Sequence, residues 1–358
     1  MKNAVENAVE NTEEVGTEAI MAALEQLPKA ELHLHIEGTL EPELALELAQ
    51  RNGVALPYAS LEELKGKYQF TNLQSFLDLY YELMGTLKTA QDFRDLALAY
   101  FAKVSTQGVR HAEIFFDPQV HVANGLDVNM VMDGLLEGMH IAKERYGITS
   151  GLILSIVRDM PLETAQSVID SVKNRASDIL GIGLDSAEVG YPPHLFTKQF
   201  QEAKALGWHR VAHAGEEGPA SYVIDALDNL HAERIDHGIH SVTDPELLKR
   251  LASERIPLTT CPLSNRRLQV VGSLDELPLR NMMDQGVLIN VNSDDPAYFG
   301  GYIADNYKAL SEIGFTLSEL ASFAEHSIDA SFIGDDQRRT LRQQLDEWKT
   351  KHSSLLKA

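Results

Sequence analysis

Two hydrophobic periods alternate along the chain. Short runs rich in Val, Ile and Leu are typical of buried β-strands, and longer stretches with apolar residues every three or four positions are typical of amphipathic helices. We predict strands at 31–38, 109–117, 151–158, 180–188, 210–216, 234–240, 256–261 and 287–293. Helical stretches at 127–146, 161–178, 195–206, 219–230 and 244–254 separate them, and the last helices run from about 317 to the end. This alternation predicts an α/β fold, the (β/α)8 or TIM barrel.

The stretch from residue 41 to about residue 107 is also helical, and it follows the first strand directly. We interpret it as a helical insert in the barrel. Apolar residues recur along it at three- and four-residue steps, so most of them are expected to face the core. Phe76 and Tyr80 are the residues that we expect to cover the mouth of a pocket.

Length and composition predict one catalytic domain over residues 25–358. A chain of 358 residues with 44% hydrophobic residues can bury a large core. Residues 1–24 hold five glutamates against one lysine, which fits neither a signal peptide nor a transit peptide. We predict that this N-terminal extension is disordered or loosely helical and takes no part in the chemistry.

The charge of the chain restricts its partners. The formal net charge is -22, and a field of that sign repels nucleic acid and anionic membrane surfaces. The single cysteine, Cys261, lies in an apolar run and is expected to be buried, which suits a reducing, cytoplasmic location. The pattern makes no prediction about oligomeric state.

The first strand carries the clearest chemical signal, His33-Leu-His35 followed by Glu37 and Gly38. Side chains two residues apart on a strand point the same way, so the two imidazoles lie side by side. A pair of hydrogen-bonded core histidines is the alternative explanation. Neutral imidazole is a common zinc ligand, and a metal site is the better interpretation if the chain supplies more ligands.

Further ligands are found where other predicted strands end, which is where barrel enzymes build their sites. These residues are His213 and Glu216 after the fifth strand, His237 after the sixth, and Asp294 and Asp295 after the eighth. We predict one zinc ion per chain, held by His33, His35, His213 and Asp294. His237 would orient or deprotonate a water, Glu216 would donate a proton and Asp295 would bind a substrate nitrogen. The set predicts metal-assisted hydrolysis of a polar, nitrogenous substrate.

These motifs resemble the adenosine/adenine deaminase family of the amidohydrolase superfamily. The similar segments are 32–38, 184–188, 211–217, 234–238, 261–264 and 291–296, and the match covers nearly all of the chain except its tails. The resemblance implies the metal-dependent hydrolase type of barrel, with the ligand set named above. It also implies that Glu216 protonates N1 of a purine, His237 assists the attack of water on C6, and Asp295 contacts N7. The Ser186 segment would contact the purine ring through its backbone.

Within that family, two stretches resemble the adenine deaminase branch. Where adenosine deaminases usually carry His-x-His-Leu-Asp-Gly, this chain reads His-Leu-His-Ile-Glu37-Gly, and the other stretch is 293–302. Glu37 is one methylene longer than Asp and would fill space that a ribose needs, so we include it among the substrate-binding residues. We therefore expect deamination of adenine to hypoxanthine, a reaction of purine salvage. N6-substituted adenines and adenosine are alternative substrates.

Three other functions agree less well with the sequence. Zinc deaminases of the Pro-Cys-x-x-Cys type are excluded, because the chain has one cysteine. Other amidohydrolase reactions would not need His-Ala-Gly-Glu-Glu together with Ser-Asp-Asp-Pro. A purine-binding barrel without activity is the non-enzymatic alternative, and it conflicts with the retention of every ligand and of the proton donor.

Overall fold

A barrel of eight parallel strands in sequence order forms the centre of the molecule. The computed structural model describes residues 18–357. Each strand pairs with the next along the chain. The strands are β1 Lys29–His35, β2 Val109–Phe116, β3 Thr149–Val157, β4 Gly181–Asp185, β5 His209–Ala214, β6 Arg234–His237, β7 Leu258–Thr260 and β8 Ile289–Val291. The predicted (β/α)8 barrel is therefore confirmed.

Helices connect the strands, and further helices precede β1 and follow β8 along the chain. They are α1 18–26, α2 Pro42–Asn52, α3 Leu61–Lys67, α4 Leu73–Met84, α5 Ala90–Val104, α6 Pro118–Ala123, α7 Val128–Tyr146, α8 Leu162–Val172, α9 Thr197–Ala205, α10 Ala220–Asp225, α11 Pro245–Ser253, α12 Pro262–Arg267, α13 Leu279–Asp284, α14 Pro296–Phe299, α15 Ile303–Glu312, α16 Leu317–Ala330 and α17 Asp335–Lys351. The insert predicted after the first strand consists of α2–α5.

The barrel closes between β8 and β1 through residues of the predicted site. Leu34 and Asp294 form an isolated parallel bridge. The backbone N–H of His35 donates to the carbonyl of Asp294 at 3.1 Å, and the N–H of Asp294 donates to the carbonyl of His33 at 3.0 Å. The Asn292 side chain accepts from the N–H of Leu32 at 2.7 Å. Backbone hydrogen bonds thus fix Asp294, the metal-ligand candidate that follows β8, beside His33 and His35 of β1.

Helix α4 is positioned by its first turn and by its apolar face. The Asn72 side chain accepts from the N–H of Ser75, and the Ser75 hydroxyl accepts from the N–H of Asn72. This capping box fixes the start of the helix. One face then buries Phe76, Leu77 and Tyr80. These three side chains also line the cavity described below, so part of the insert covers the site.

All eight strands end one to three residues earlier than predicted, and β7 and β8 show why. The predicted strand 256–261 reaches only Thr260, because Cys261 and Pro262 begin α12. The predicted strand 287–293 reaches only Val291, because the chain turns at Asp294, where φ is 64°. Hydrophobic patterns place strands well but do not mark where a turn starts.

The predicted N-terminal extension is only partly described. Residues 1–17 lie outside the described residues. Residues 18–26 form α1, in which Ala23 and Leu24 are fully buried. The Trp348 indole N–H donates to the carbonyl of Ala23 at 3.1 Å, which ties α1 to α17. The packed fold therefore includes the last seven residues of the predicted extension.

The described residues contain no helix with the length and apolar character needed to span a membrane.

Candidate active site

Four histidines and an aspartate meet at the C-terminal end of the barrel. Ligand atoms of His33, His213, His237 and Asp294 all lie within 4.8 Å of one another. The Nε2 atom of His35 lies 3.1 Å from Nε2 of His213 and 3.5 Å from Oδ1 of Asp294. The Nε2 atom of His33 lies 3.3 Å from the same oxygen and has no hydrogen-bond partner. Tetrahedral bonds of ~2.0–2.1 Å separate ligand atoms by roughly 3.3 Å, so the cluster fits a metal ion.

In three of the four imidazoles, a carboxylate lies near the Nδ1 atom. The Nδ1 atom of His35 lies 3.5 Å from Oδ2 of Asp185. Oδ2 of Asp236 lies 3.6 Å from Nδ1 of His213, and Oδ1 lies 3.9 Å from Nδ1 of His33. The Thr259 hydroxyl links the last two groups, since it lies 3.1 Å from Nδ1 of His33 and donates to Oδ1 of Asp236 at 2.7 Å. A carboxylate near Nδ1 is typical of a histidine whose Nε2 binds a metal, and of the four rings at the site the three predicted as ligands have this neighbour.

His237 has different neighbours. Its Nδ1 atom lies 3.3 Å from the Asn265 side-chain amide. On the cavity side, Nε2 lies 3.5 Å from Oε2 of Glu216 and 3.6 Å from Oδ2 of Asp294. This ring sits between the metal cluster and a carboxyl group, which is the place for a group that exchanges a proton with water or substrate.

The protonation states suit a metal site. Burial lowers the pKa of His35 to about 4 and that of His237 to about 3, and it holds the pKa of His213 well below its usual value. Burial alone would raise the pKa of the Asp294 carboxyl, but the nearby imidazole of His33 outweighs burial and holds that pKa well below its usual range. His33 differs: burial alone would lower its pKa, but the Asp294 carboxylate outweighs burial and raises that pKa. Neutral imidazoles and an ionised carboxylate are the forms that bind metals, so a metal ion here would displace the proton from His33.

Glu216 is placed by the loop that follows β5. The buried Glu188 carboxylate accepts from four consecutive backbone N–H groups, at 2.6 Å from Gly215 and at 3.0, 2.9 and 2.8 Å from the next three residues. Burial, followed by the charges of Asp294 and Glu188, raises the pKa of Glu216 well above its usual value. The loop therefore holds Glu216 beside the candidate metal ligands, and the raised pKa favours its protonated form.

Asp295 lies on the other side of the cluster, against the loop after β1. A Cβ atom at Gly38 would overlap its side chain and lie 2.6 Å from its Cα atom. Glycine is thus required at position 38 for this close approach. Asp295 is the N-cap of α14, yet its side chain makes no capping bond and its Oδ1 atom has no partner. Burial, followed by the charge of Asp294, raises its pKa well above the usual value.

A small cavity lies at this end of the barrel. Its lining combines the polar cluster with a cover of apolar and aromatic side chains: Leu73, Phe76, Leu77, Tyr80, Tyr81, Leu268 and Phe299. Phe76 and Tyr80, predicted as covering residues, are 4% and 3% exposed. The combination suits a flat ring with polar edges.

Three of the six non-glycine residues with positive φ in the described part of the chain lie at the site. Ser186, His237 and Asp294 have φ values of 68°, 61° and 64°, in the left-handed region that residues other than glycine rarely adopt. Each such residue costs about 1–3 kcal/mol and persists only where its surroundings impose the conformation.

Of the predicted substrate-binding residues Ser186 and Glu37, only Ser186 lines the cavity. Ser186 lines the cavity, and its hydroxyl lies 3.0 Å from that of Tyr81 in α4. Glu37 is fully buried and is not among the lining residues. Its Oε1 atom accepts from the backbone N–H of Asp117 at 3.1 Å and lies 2.8 Å from Nε2 of His121.

Four carboxylates of the site were not singled out from the sequence. Asp117 lines the cavity, Asp185 and Asp236 orient histidines, and Glu188 holds the loop of the proton donor. Asp117 and Asp185 follow or end strands, so the rule that located Asp294 could have located them as well. Nothing in the local pattern around Glu188 indicates its role, because its partners lie 27–30 residues away.

The arrangement can activate and deliver water. A cluster of candidate metal ligands, the His237 imidazole and the buried acids Glu216 and Asp295 surround one small cavity. Such a set suits hydrolysis of the bond between a carbon of a heteroaromatic ring and a nitrogen attached to it. It can protonate the ring while water attacks that carbon.

The chain is similar to known proteins over most of its length. The family model for adenosine deaminase matches residues 28–348. An adenine deaminase from Streptomyces coelicolor is 54% identical over 321 residues, covering 89% of this chain and 94% of the relative. The crystal structure of an adenine deaminase from Arthrobacter aurescens is 49% identical, with a TM-score of 0.89 and coverage of 90% of this chain and 99% of that one. An amidohydrolase from Burkholderia ambifaria with bound zinc is 31% identical, with a TM-score of 0.86 and coverage of 95% and 94%.

Proposed function

The chain belongs to the adenosine deaminase family, and we propose from that membership and from the site that it hydrolyses adenine to hypoxanthine and ammonia. The observation that carries the chemistry is the position of the buried Glu216, whose Oε2 atom lies 3.5 Å from Nε2 of His237 beside the candidate metal ligands and whose pKa burial raises well above its usual value. The sequence identity with adenine deaminases favours the base over the nucleoside as substrate.

The cofactor in this proposal is one zinc ion per chain. His33, His35, His213 and Asp294 would hold it, and the carboxylates at the Nδ1 atoms of the three histidines support this assignment. Bound zinc supplies Lewis-acid activation, which lowers the pKa of water from ~15.7 to ~7. The zinc in the related Burkholderia amidohydrolase supports the choice of metal.

The side chains around the cavity divide the remaining steps. His237 orients the attacking water and takes up its proton. Glu216 donates a proton to N1 of the purine as water adds to C6, so that the negative charge on the ring is neutralised. The protonated Asp295 carboxyl donates a hydrogen bond to N7, and the Ser186 segment lies along the ring. In the collapse of the tetrahedral adduct, His237 gives the proton taken from water to the amino group, which leaves as ammonia, and the C6 hydroxyl returns a proton to Glu216. One water is consumed for each hypoxanthine formed.

Substrate choice and the role of Glu216 are tested together. Zinc-loaded protein is assayed with adenine, adenosine, N6-methyladenine and N6-isopentenyladenine, and both ammonia and amine release are measured. We expect turnover of adenine with little turnover of adenosine. Replacement Glu216→Gln removes the proton donor and should lower kcat by ~10²–10⁴-fold. Glu217→Gln is the matched control, because Glu217 is exposed and its carboxylate lies outside the cavity lining.

Other results would reject the proposal. Preference for an N6-alkyl adenine would keep the mechanism but change the leaving group to an amine. Preference for adenosine would reject the assignment to the base. No turnover of any of the four compounds would leave another amidohydrolase reaction or a binding protein as the function.

A further inference from the structure

The cavity contains a carboxyl group that the proposed mechanism does not use. Asp117 follows β2, lines the cavity and is 3% exposed. It occupies the N-cap position of α6, where an aspartate usually accepts from a backbone N–H of the first helical turn. Its side chain makes no such bond, and its Oδ1 atom has no hydrogen-bond partner. A buried oxygen without a partner in a substrate cavity is an acceptor kept for a ligand.

Asp117 is held in this position from two sides. The Tyr80 hydroxyl of α4 donates to Oδ2 at 3.4 Å. The Glu37 carboxylate accepts from the backbone N–H of Asp117 at 3.1 Å, and the His121 imidazole lies 2.8 Å from the same carboxylate oxygen. Glu37 is thus a positioning residue for Asp117 and acts on the cavity through it.

The neighbouring carboxylate of Asp185 has another task. Its Oδ2 atom lies 3.5 Å from Nδ1 of His35, so it stands behind a metal-ligand candidate. Asp117 follows β2, which lies across the barrel from β6 because the eight strands run in sequence order. His237 ends β6, so the carboxyl group of Asp117 faces the side of the cavity opposite the water-activating ring.

This placement matches one edge of a free purine base. The amino group at C6 must lie beside Glu216 and His237, and N7 beside Asp295. The edge that remains carries N3, an acceptor, and N9–H, a donor. Burial, followed by the charges of Asp185 and Glu37, raises the pKa of Asp117 well above its usual value. A carboxyl oxygen accepts from N9–H whether or not the group is ionised, and in its neutral form the group also offers an O–H donor to N3.

We propose that the Asp117 carboxyl group accepts a hydrogen bond from N9–H of the bound purine and thereby selects the free base over its nucleoside. This inference rests on the proposed function. A nucleoside carries its sugar at N9 and has no N–H there. Binding it would leave Oδ1 of Asp117 buried without a partner, and a site of that kind rejects the substrate analogue that lacks the donor.

The test compares adenine with 9-methyladenine, which lacks N9–H but carries no sugar. For the wild-type protein we expect kcat/KM to favour adenine by ~10⁴-fold. Asp117→Leu keeps the approximate size and removes both polar atoms, so kcat/KM for adenine should fall by ~10²-fold while that for 9-methyladenine does not fall. Asp117→Asn keeps an acceptor and a donor and should retain most of the preference. Asp159→Asn, at an exposed carboxylate just after β3, is the matched control.

Binding of the product is measured separately, so that the inference does not depend on turnover. Calorimetry with hypoxanthine and 9-methylhypoxanthine should show a preference for hypoxanthine that Asp117→Leu abolishes and Asp117→Asn keeps. Equal use or equal binding of the 9-methyl compounds by the wild-type protein would overturn the inference, as would a parallel loss on both substrates in Asp117→Leu. A wild-type protein that binds hypoxanthine selectively but does not turn over adenine would reject the proposed function and keep the inference.

Discussion

Glu188 does not line the cavity, but its hydrogen bonds fix the position of Glu216, the proposed proton donor. Its two carboxylate oxygens accept from the backbone N–H groups of Gly215, Glu216, Glu217 and Gly218. Four donors that converge on one buried carboxylate leave the loop little freedom. At the scale of single residues, the precision of this site therefore comes from side chains behind the reacting groups.

Replacement Glu188→Gln tests this role. The amide nitrogen of the glutamine side chain in the variant would be a donor facing backbone N–H groups, which are also donors. Some N–H groups of the loop would therefore lose their acceptor. We expect kcat for adenine to fall by ~10²-fold through displacement of Glu216, with KM changed by less than ~3-fold. Steady-state kinetics and metal analysis check this result, and metal content should be unchanged. Equal losses in kcat and metal content would mean that Glu188 supports the metal cluster instead.

At the scale of elements, a buried ion pair joins three strands of the barrel. The Arg234 guanidinium of β6 donates to Glu113 of β2 at 2.7 Å and to the carbonyl of Leu32 in β1 at 3.1 Å. Both charged side chains are fully buried. Burial alone would raise the pKa of Glu113, but Arg234 outweighs it and lowers that pKa to about 2. The ion pair therefore depends on both partners being present.

Replacement Arg234→Met leaves the Glu113 carboxylate buried without its partner. We expect the free energy of unfolding to fall by ~3–5 kcal/mol at pH 7, measured by denaturant unfolding. In the wild-type protein the contribution of Glu113 is fully present above its unfolded pKa of ~4.3 and is lost as pH falls towards 2. In the variant, burial raises the pKa of Glu113, so the difference between the two proteins should shrink between pH 7 and pH 4. A difference independent of pH would assign the loss to packing.

At the scale of the whole molecule, the metal cluster joins distant parts of the chain, because its ligand candidates come from β1, β5 and the turn after β8. Zinc that binds only the folded protein should stabilise it by ~2.7 kcal/mol when free zinc exceeds its dissociation constant 100-fold. We expect chelation to lower the melting temperature and added zinc to restore it.

Metal analysis of two variants separates ligands from neighbours. His213→Ala should lose the zinc, because it removes one of the proposed ligands. His237→Ala should keep about one zinc per chain, because His237 has no carboxylate at Nδ1 and is not a proposed ligand. Loss of zinc from both variants would make His237 a ligand and would leave the water without its proposed base.

The sequence by itself determined the barrel, the helical insert and the strand ends at which chemistry is found. These features depend on local order, since hydrophobic periodicity reports which face of an element is buried, and His33-x-His35 lie on the same face of one strand. The resemblance to adenosine and adenine deaminases needed only short motifs, and the family match confirmed it.

Only the tertiary structure decided which polar groups meet. His33 and Asp236 are about two hundred residues apart in the sequence, as are Arg234 and Leu32. The Glu37 carboxylate is buried against Asp117 and His121 and does not line the cavity, although Glu37 stands two residues after a predicted ligand. The left-handed backbone at His237 and Asp294 likewise depends on distant neighbours. A local pattern carries no information about such partners, because their energies arise only when folding removes water from both groups.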